Sequence, residues 1–330
     1  MQDKLTHCRV ILARPRSFCA GVVRAIDIVE RALELYGAPV YVRHEIVHNR
    51  QVVDRLKGMG AIFVDDVDEV PMGAVTIFSA HGVSKKVEAE AQVRSLDVID
   101  ATCPLVRRVH REGQNYAERG YDVLLVGHSG HAEVEGTRGQ IDGPVQVIGT
   151  LSDAENVVVS DPERVAYITQ TTLSMFDTED MIAVLKRRFP NIVGPDTRDI
   201  CYATQNRQRS VLELAAQVEV VLVVGSANSS NAGRLQQIAE EAGVASHLFD
   251  TPAMIKRSWF DGVSSIGITA GASTPESSVQ DVIAHLAQFL HIEVETLDGK
   301  DENVKFRLPD RLSRPQGPSS GAYITTHAAK

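Results

Sequence analysis

Three cysteines stand in one repeated context, and this repeat constrains the fold more than any other feature of the chain. Cys19 lies in SFCAGVVRAIDIVERAL, Cys103 in ATCPLVRRVHREGQNYA and Cys201 in DICYATQNRQRSVLELA. Each time, a short apolar stretch leads to the cysteine and a helical pattern begins at once. The pattern is clearest after Cys19, where Val22, Ile26, Val29 and Leu33 recur at helical spacing until Gly37 stops it. A strand with a polar end follows at nearly constant distance. It reaches His48 of HEIVHN 29 residues after Cys19, His131 of GHSGHAEVEG 28 residues after Cys103, and Ser229 of GSANSSN 28 residues after Cys201. A third element recurs as VTIFSAHGVS, VAYITQTTLS and SIGITAGASTP, a β-rich run that ends in small or polar residues and opens a helix. In the last copy Thr274 is the expected N-cap and Pro275 the first helical residue.

The pattern predicts an α/β fold of three similar units with small parallel sheets, arranged pseudo-threefold around a central site. The expected units are residues 1–103, 104–197 and 198–292. Residues 293–310 form an extension packing back on the body. Residues 311–330, rich in Pro, Gly and Ser without periodicity, read as a disordered tail. In open α/β sheets ligands bind beyond the carboxyl ends of the strands, near helix N-termini. A threefold arrangement therefore brings three cysteines and their polar strand ends to one centre.

The formal charge of −9 argues against a nucleic-acid surface, which needs clustered Lys and Arg, but leaves room for a small anion in a local pocket. The longest apolar runs, such as Val220 to Val224, fall far short of the ~18 residues of a membrane span. The N-terminus has no signal pattern, so a cytoplasmic protein without a membrane or nucleic-acid partner is expected. The four cysteines are too scattered for a secreted disulfide framework.

A cysteine at a helix N-terminus tends toward thiolate, and three thiolates at one point need a cation or cluster between them. Structural zinc usually takes closely paired ligands, and no C-x-x-C occurs here. An iron–sulfur cluster suits thiolates from distant segments. Cys8, inside the strand HCRVIL, reads as a small buried hydrophobe. A four-iron cluster on the remaining three leaves one iron open for substrate. The polar strand ends carry His48, His81, His131, Thr171, Ser229, Ser230, Asn231 and Ser273, a donor-rich cradle for a phosphate or diphosphate that contains no Lys or Arg. Glu133, beside a cluster and an anion, would resist ionising and could deliver a proton. His7, His44, His110, His128, His247, His285, His291 and His327 keep a structural reading. The same residues also suit a dehydratase using an open iron as Lewis acid, a zinc hydrolase on three thiolates, or an iron–sulfur sensor with a small-anion pocket.

Nine motifs in register, PRSFCAGVVRAI, YVRHEIVHNR, FSAHGVS, DATCPLV, GHSGHAEVEGT, TQTTLS, DICYATQNRQ, GSANSSN and TAGAS, run from about Leu12 to Phe306. Together they resemble the 4-hydroxy-3-methylbut-2-enyl diphosphate reductases, which perform the last step of the methylerythritol phosphate route to isoprenoids. The resemblance implies one 4Fe-4S cluster per chain on Cys19, Cys103 and Cys201. It places His48, His81, Ser229, Ser230, Asn231 and Ser273 on the substrate diphosphate, and His131 beside it as a proton relay. Thr171 would orient the substrate hydroxyl and the acid, and Glu133 would protonate the departing hydroxyl. Electrons would come from ferredoxin or flavodoxin, and the products would be isopentenyl and dimethylallyl diphosphate. The chain departs from the common pattern at Ala232-Gly233, where relatives often carry a hydroxyl or amide, at Ser17 in place of a glycine and at Arg14 in place of an asparagine.

Overall fold

The computed structural model describes residues 6–195 and 199–313. Among these residues it contains twelve strands and eleven α-helices. The strands are β1 (Thr6–Leu12), β2 (Val40–Arg43), β3 (Ala61–Val64), β4 (Val75–Phe78), β5 (Asp97–Asp100), β6 (Asp122–Val126), β7 (Val145–Ile148), β8 (Val165–Thr169), β9 (Val220–Val224), β10 (Ala245–Phe249), β11 (Ser265–Ala270) and β12 (Leu290–Thr296). They form three sheets, ordered β3-β2-β4-β5, β7-β6-β8 and β10-β9-β11-β1-β12. Every pairing is parallel, so helical crossovers join the strands and cover the sheet faces.

The helices are α1 (Ala20–Tyr36), α2 (Arg50–Gly58), α3 (Lys85–Val93), α4 (Pro104–Glu118), α5 (Ala132–Gln140), α6 (Leu151–Asn156), α7 (Met175–Arg188), α8 (Tyr202–Ala215), α9 (Ser230–Glu241), α10 (Glu276–Leu286) and α11 (Asp310–Ser313). As the spacing predicts, Val22, Ile26, Val29 and Leu33 of α1 face a core, against β2 and β4 residues such as Val42 and Ile77. Gly37 ends the helix at φ 76°, a conformation glycine adopts freely, and its N–H returns to Leu33 O. The start of α10 lies one residue later than expected. Pro275 is the N-cap, and Thr274 Oγ1 instead donates to Val224 O at 3.0 Å, tying the end of β9 to the turn after β11.

The first strand departs from a contiguous division of the chain. β1 does not join the sheet of residues 40–100. It lies between β11 and β12 in the third sheet. The reason is burial on both faces. Cys8, Val10 and Leu12 pack into one apolar cluster with Ile266, Ile268 and Val279, while Ile11 and Ala13 pack on the other face with Val211 and Leu235. A strand apolar on both sides belongs inside a parallel sheet. Cys8 is fully buried there as a small hydrophobe.

After β12 an extended strap crosses back to the residues around α1. Glu302 pairs with Arg207 at 3.0 Å, Arg307 O accepts from Arg24 Nε at 2.9 Å, and Leu308 packs against the first core. Disorder was expected from residue 311, but residues 311–313 are ordered in α11. Leu312 is buried against the core of α1, and Arg311 pairs with Asp97 at 2.7 Å and Tyr36 Oη at 3.0 Å. The remaining tail lies outside the described residues.

Candidate active site

Each of the three cysteines is the N-cap of the helix that follows it: Cys19 of α1, Cys103 of α4 and Cys201 of α8. Their backbone N–H groups repeat one contact. Cys103 N donates to Ala80 O after β4 (3.0 Å), Cys201 N to Thr171 O after β8 (3.0 Å), and Cys19 N to Ala272 O after β11 (3.1 Å). The threefold relation expected from the sequence is thus built by hydrogen bonds between each cysteine and the end of one sheet. The third link is available only because β1 joins the third sheet and delivers Cys19 beside Ala272.

All three cysteines line one cavity of about 110 Å³. A Cβ added to Gly21 would stand 2.8 Å from Cys103 Sγ and 3.8 Å from Cys19 Sγ, so glycine keeps the space between two of the thiols clear. Burial, then Cys19, push the Cys103 thiol up to about 12 and the Cys201 thiol up to about 11. The expected mutual repulsion of the three cysteines is thus joined by burial. The helix N–H groups do favour the anion, as Thr204 N does for Cys201 Sγ at 3.4 Å, but burial and mutual repulsion outweigh them. The thiolates therefore require a positive group among them.

The same cavity is lined by His48, His81, His131, Glu133, Thr171, Ser229, Ser230, Asn231 and Ser273, and by no Lys or Arg. None of His7, His44, His110, His128, His247, His285 and His291 reaches it, and His327 lies outside the described residues. The imidazoles cluster: His48 stacks on His81 with ring centres 4.2 Å apart, and His131 stands edge-on to both at 5.4 and 5.9 Å. Burial and the charges of His48 and His131 hold His81 well below its usual 6.5. Burial, with His48 and His128, holds His131 near 4. His131 caps α5 through Nδ1, which accepts from Glu133 N–H at 3.1 Å.

Glu133 sits in the first turn of α5 but turns inward and is 3% exposed. Its Oε1 accepts from Thr171 N at 2.6 Å and its Oε2 from Thr171 Oγ1 at 3.1 Å. Burial outweighs both bonds and lifts the carboxyl from 4.5 to about 7. It can therefore hold a proton near neutral pH.

Several buried polar atoms at the cavity have no partner: His48 Nε2, Asn231 Nδ2 and Asn231 Oδ1. Native structures rarely leave such atoms bare except where a ligand supplies the partner. Links between the sheets hold this rim in place. Ser273 Oγ donates to His48 O at 2.9 Å, and Thr172 Oγ1 donates to Ser230 Oγ at 3.3 Å. Glu45 joins two loops by pairing with His48 Nδ1 at 3.1 Å and accepting from Asn228 Nδ2 at 2.9 Å. Glu45 and Thr172 were missed, although both lie inside quoted motifs, HEIVHN and TQTTLS. A wider depression of about 570 Å³ shares His48 and His131 with the cavity and opens it outward.

The unusual residues leave the lining unchanged. Ser17 adopts φ 62°, the left-handed region where glycine is at ease, and its Oγ donates to Glu276 Oε2 at 2.9 Å. Arg14 pairs with Asp301 on the strap. Ala232 is buried under the turns after β9 and β11, and Gly233 faces open space.

The family model described as LytB protein matches residues 10–287. A relative in Burkholderia pseudomallei strain 1026b, named 4-hydroxy-3-methylbut-2-enyl diphosphate reductase, is 56% identical over 306 residues, 93% of this chain and 98% of the relative. The chain belongs to this family. A relative of the same name in Zymomonas mobilis is 53% identical over 304 residues, 92% of this chain and 89% of its own. Among solved structures, the E-1-hydroxy-2-methyl-but-2-enyl-4-diphosphate reductase of Plasmodium falciparum aligns with a TM-score of 0.90 at 36% identity, covering 93% of this chain and 97% of its own. The (E)-4-hydroxy-3-methyl-but-2-enyl diphosphate reductase described as the terminal enzyme of the non-mevalonate pathway aligns at 0.60 and 34% identity, covering 85% and 99%. Among the described residues of the chain, no helix is long and apolar enough to cross a membrane.

Membership implies an iron–sulfur enzyme, and the donor set fits one. Among the described residues no three His, Cys, Asp or Glu side chains are placed to hold a single metal ion. The three thiols instead surround a shared space, which suits a group of several atoms better than one zinc ion.

Proposed function

We propose that the chain removes the hydroxyl group of (E)-4-hydroxy-3-methylbut-2-enyl diphosphate by reduction, giving isopentenyl and dimethylallyl diphosphate. The observation that carries this reading is the meeting, in one cavity, of three N-cap cysteines and a buried carboxyl that holds its proton near neutral pH. Held by Cys19, Cys103 and Cys201, a 4Fe-4S cluster would supply one-electron reduction and one iron free of protein ligands.

The chain's own residues do the rest. His48, His81, Ser229, Ser230, Asn231 and Ser273 grip the diphosphate, the bare atoms of His48 and Asn231 supplying ready partners. Thr171 N–H fixes Glu133 Oε1, which leaves Oε2 as the oxygen that carries the proton toward the departing hydroxyl. Thr171 Oγ1 orients both, and His131 relays protons beside the diphosphate. Two electrons and two protons convert the hydroxyl to water and leave one new C–H bond, at the carbon that bore the hydroxyl in dimethylallyl diphosphate or, with the double bond shifted, at the other end of the allyl unit in isopentenyl diphosphate. The electrons come from a small carrier, ferredoxin or flavodoxin, and the reaction belongs in the cytoplasm.

The test is anaerobic reconstitution followed by assay with a strong one-electron donor. Both products should form with two electrons consumed per turnover, and no product without the donor. A fully loaded protein that leaves the substrate untouched would overturn the reading.

A further inference from the structure

The three helices that begin at the cysteines each carry an arginine at a matching place: Arg24 five residues after Cys19, Arg108 five after Cys103 and Arg207 six after Cys201. Each reaches the segment entering the next cysteine. Arg24 Nη1 donates to Ala101 O at 3.2 Å and Thr102 O at 3.1 Å, directly before Cys103. Arg108 Nη2 stands 3.6 Å from Asp199 Oδ1, two residues before Cys201. Arg207 donates to Ser17 O from Nη2 at 2.7 Å and from Nε at 3.2 Å, two residues before Cys19. The links close a ring, from the first cysteine helix to the second loop, the second helix to the third loop, and the third helix back to the first.

Two of the links are more deeply buried than the third. Arg24 is 7% exposed and Arg207 fully buried, and both bond backbone carbonyls, whereas the Arg108 side chain is half exposed. The two buried members are also the two that the C-terminal strap engages. Arg307 O accepts from Arg24 Nε at 2.9 Å, and Glu302 accepts from Arg207 Nη1 at 3.2 and 3.0 Å. A buried guanidinium with several donors aimed at fixed acceptors is a rigid bracket.

We propose that Arg24 and Arg207 are positioning residues for the three-cysteine site, holding the chain that enters Cys103 and Cys19, and that the strap keeps them in place through Arg307 and Glu302. The inference rests on the reading that the three cysteines hold an iron–sulfur cluster. Partners one shell away from a metal's ligands typically govern its affinity by ~10–100-fold. The strap therefore acts on the retention of iron as well as on packing. Arg311 offers the control, since it anchors the strap at Asp97 and Tyr36 and touches neither cysteine loop.

The experiment compares wild type with Arg24→Lys, Arg207→Lys, Glu302→Gln and Arg311→Ala, each reconstituted without oxygen. Iron and sulfide are counted per chain, then the rate of iron capture by a ferrous chelator is followed well below the unfolding temperature. The electron paramagnetic resonance spectrum of the reduced cluster is recorded alongside. Both lysine variants are expected to lose iron ~10–100-fold faster and to show a broadened or mixed spectrum, because charge is kept while the bracket is lost. Glu302→Gln, which keeps the buried arginine, should lose iron several-fold faster. It decides the matter with Arg24→Lys if Arg207→Lys does not fold. Arg311→Ala should unfold at lower temperature with wild-type iron loss and spectrum. Variants with wild-type iron loss and spectrum, however reduced their melting temperature, would overturn the proposal and leave the cluster reading standing. A wild-type chain that takes up no iron and sulfide would overturn both.

Discussion

Replacing Glu133 by glutamine separates two effects of one burial. The carboxyl titrates at about 7 in the fold and at 4.5 when exposed. Between those values the folded chain keeps a proton that the unfolded chain has released, so this group makes stability fall as pH rises through the window. Keeping it ionised in the fold above that window costs on the order of 3 kcal/mol. Glutamine cannot ionise, yet its carbonyl accepts from Thr171 N–H and its amide donates to Thr171 Oγ1. In urea denaturation of the cluster-free chain under reducing conditions, the variant should match wild type within ~1 kcal/mol near pH 5 and exceed it by ~2–3 kcal/mol at about pH 8. Turnover of the loaded variant should fall by roughly 10²–10⁴. Wild-type kcat/KM should hold level at acid pH and decline above about 7, as the acid loses its proton. A variant no more stable than wild type at the alkaline end would refute the burial argument, and one with an unchanged rate would remove Glu133 from the chemistry.

Thr171→Val deletes the hydroxyl that favours ionised Glu133 but keeps the backbone N–H, so the alkaline limb of the pH–rate profile should move upward, with a stability loss of ~1 kcal/mol. An unmoved limb would show that Oγ1 does not tune the acid. Because His81 is held well below 6.5, it enters the complex neutral or takes up a proton there. Titration with inorganic diphosphate in two buffers of different ionisation heat should reveal proton uptake, and affinity should weaken as pH rises through the imidazole range. Equal heats in both buffers would mean neutral hydrogen bonding. Gly21→Ala would put a methyl group 2.8 Å from Cys103 Sγ on a helix that cannot yield, so iron and sulfide per chain should drop sharply. Full loading would show that the space beside Gly21 is not needed.

The cysteine repeat and the polar strand ends were readable because local periodicities and capping residues recur at fixed separation, and all twelve residues singled out line one cavity. Long-range pairing was not. HCRVIL reads equally well as a strand of the first unit, and only burial of Cys8 and Val10 on one face and Ile11 on the other puts it in the third sheet. The burial of the thiols was invisible for a related reason: helix N-termini show in sequence, whereas the desolvation that opposes them does not. Arg24 and Arg207 look like solvated positions on amphipathic helices, and nothing local announces that carbonyls 77 and 190 residues away will receive them. Leu312 seemed part of a polar tail because a single apolar residue carries no period.

The route of β1 sets residues 6–12 between two strands, β11 and β12, from the far side of the described chain. Cys19 precedes its partners in the chain: its N–H waits for Ala272 O, and its strand waits for Ser265–Ala270 and Leu290–Thr296. The first and second sheets can form while synthesis proceeds. The three-cysteine cavity cannot, because it closes only when residues 265–296 have been made and have paired with β1.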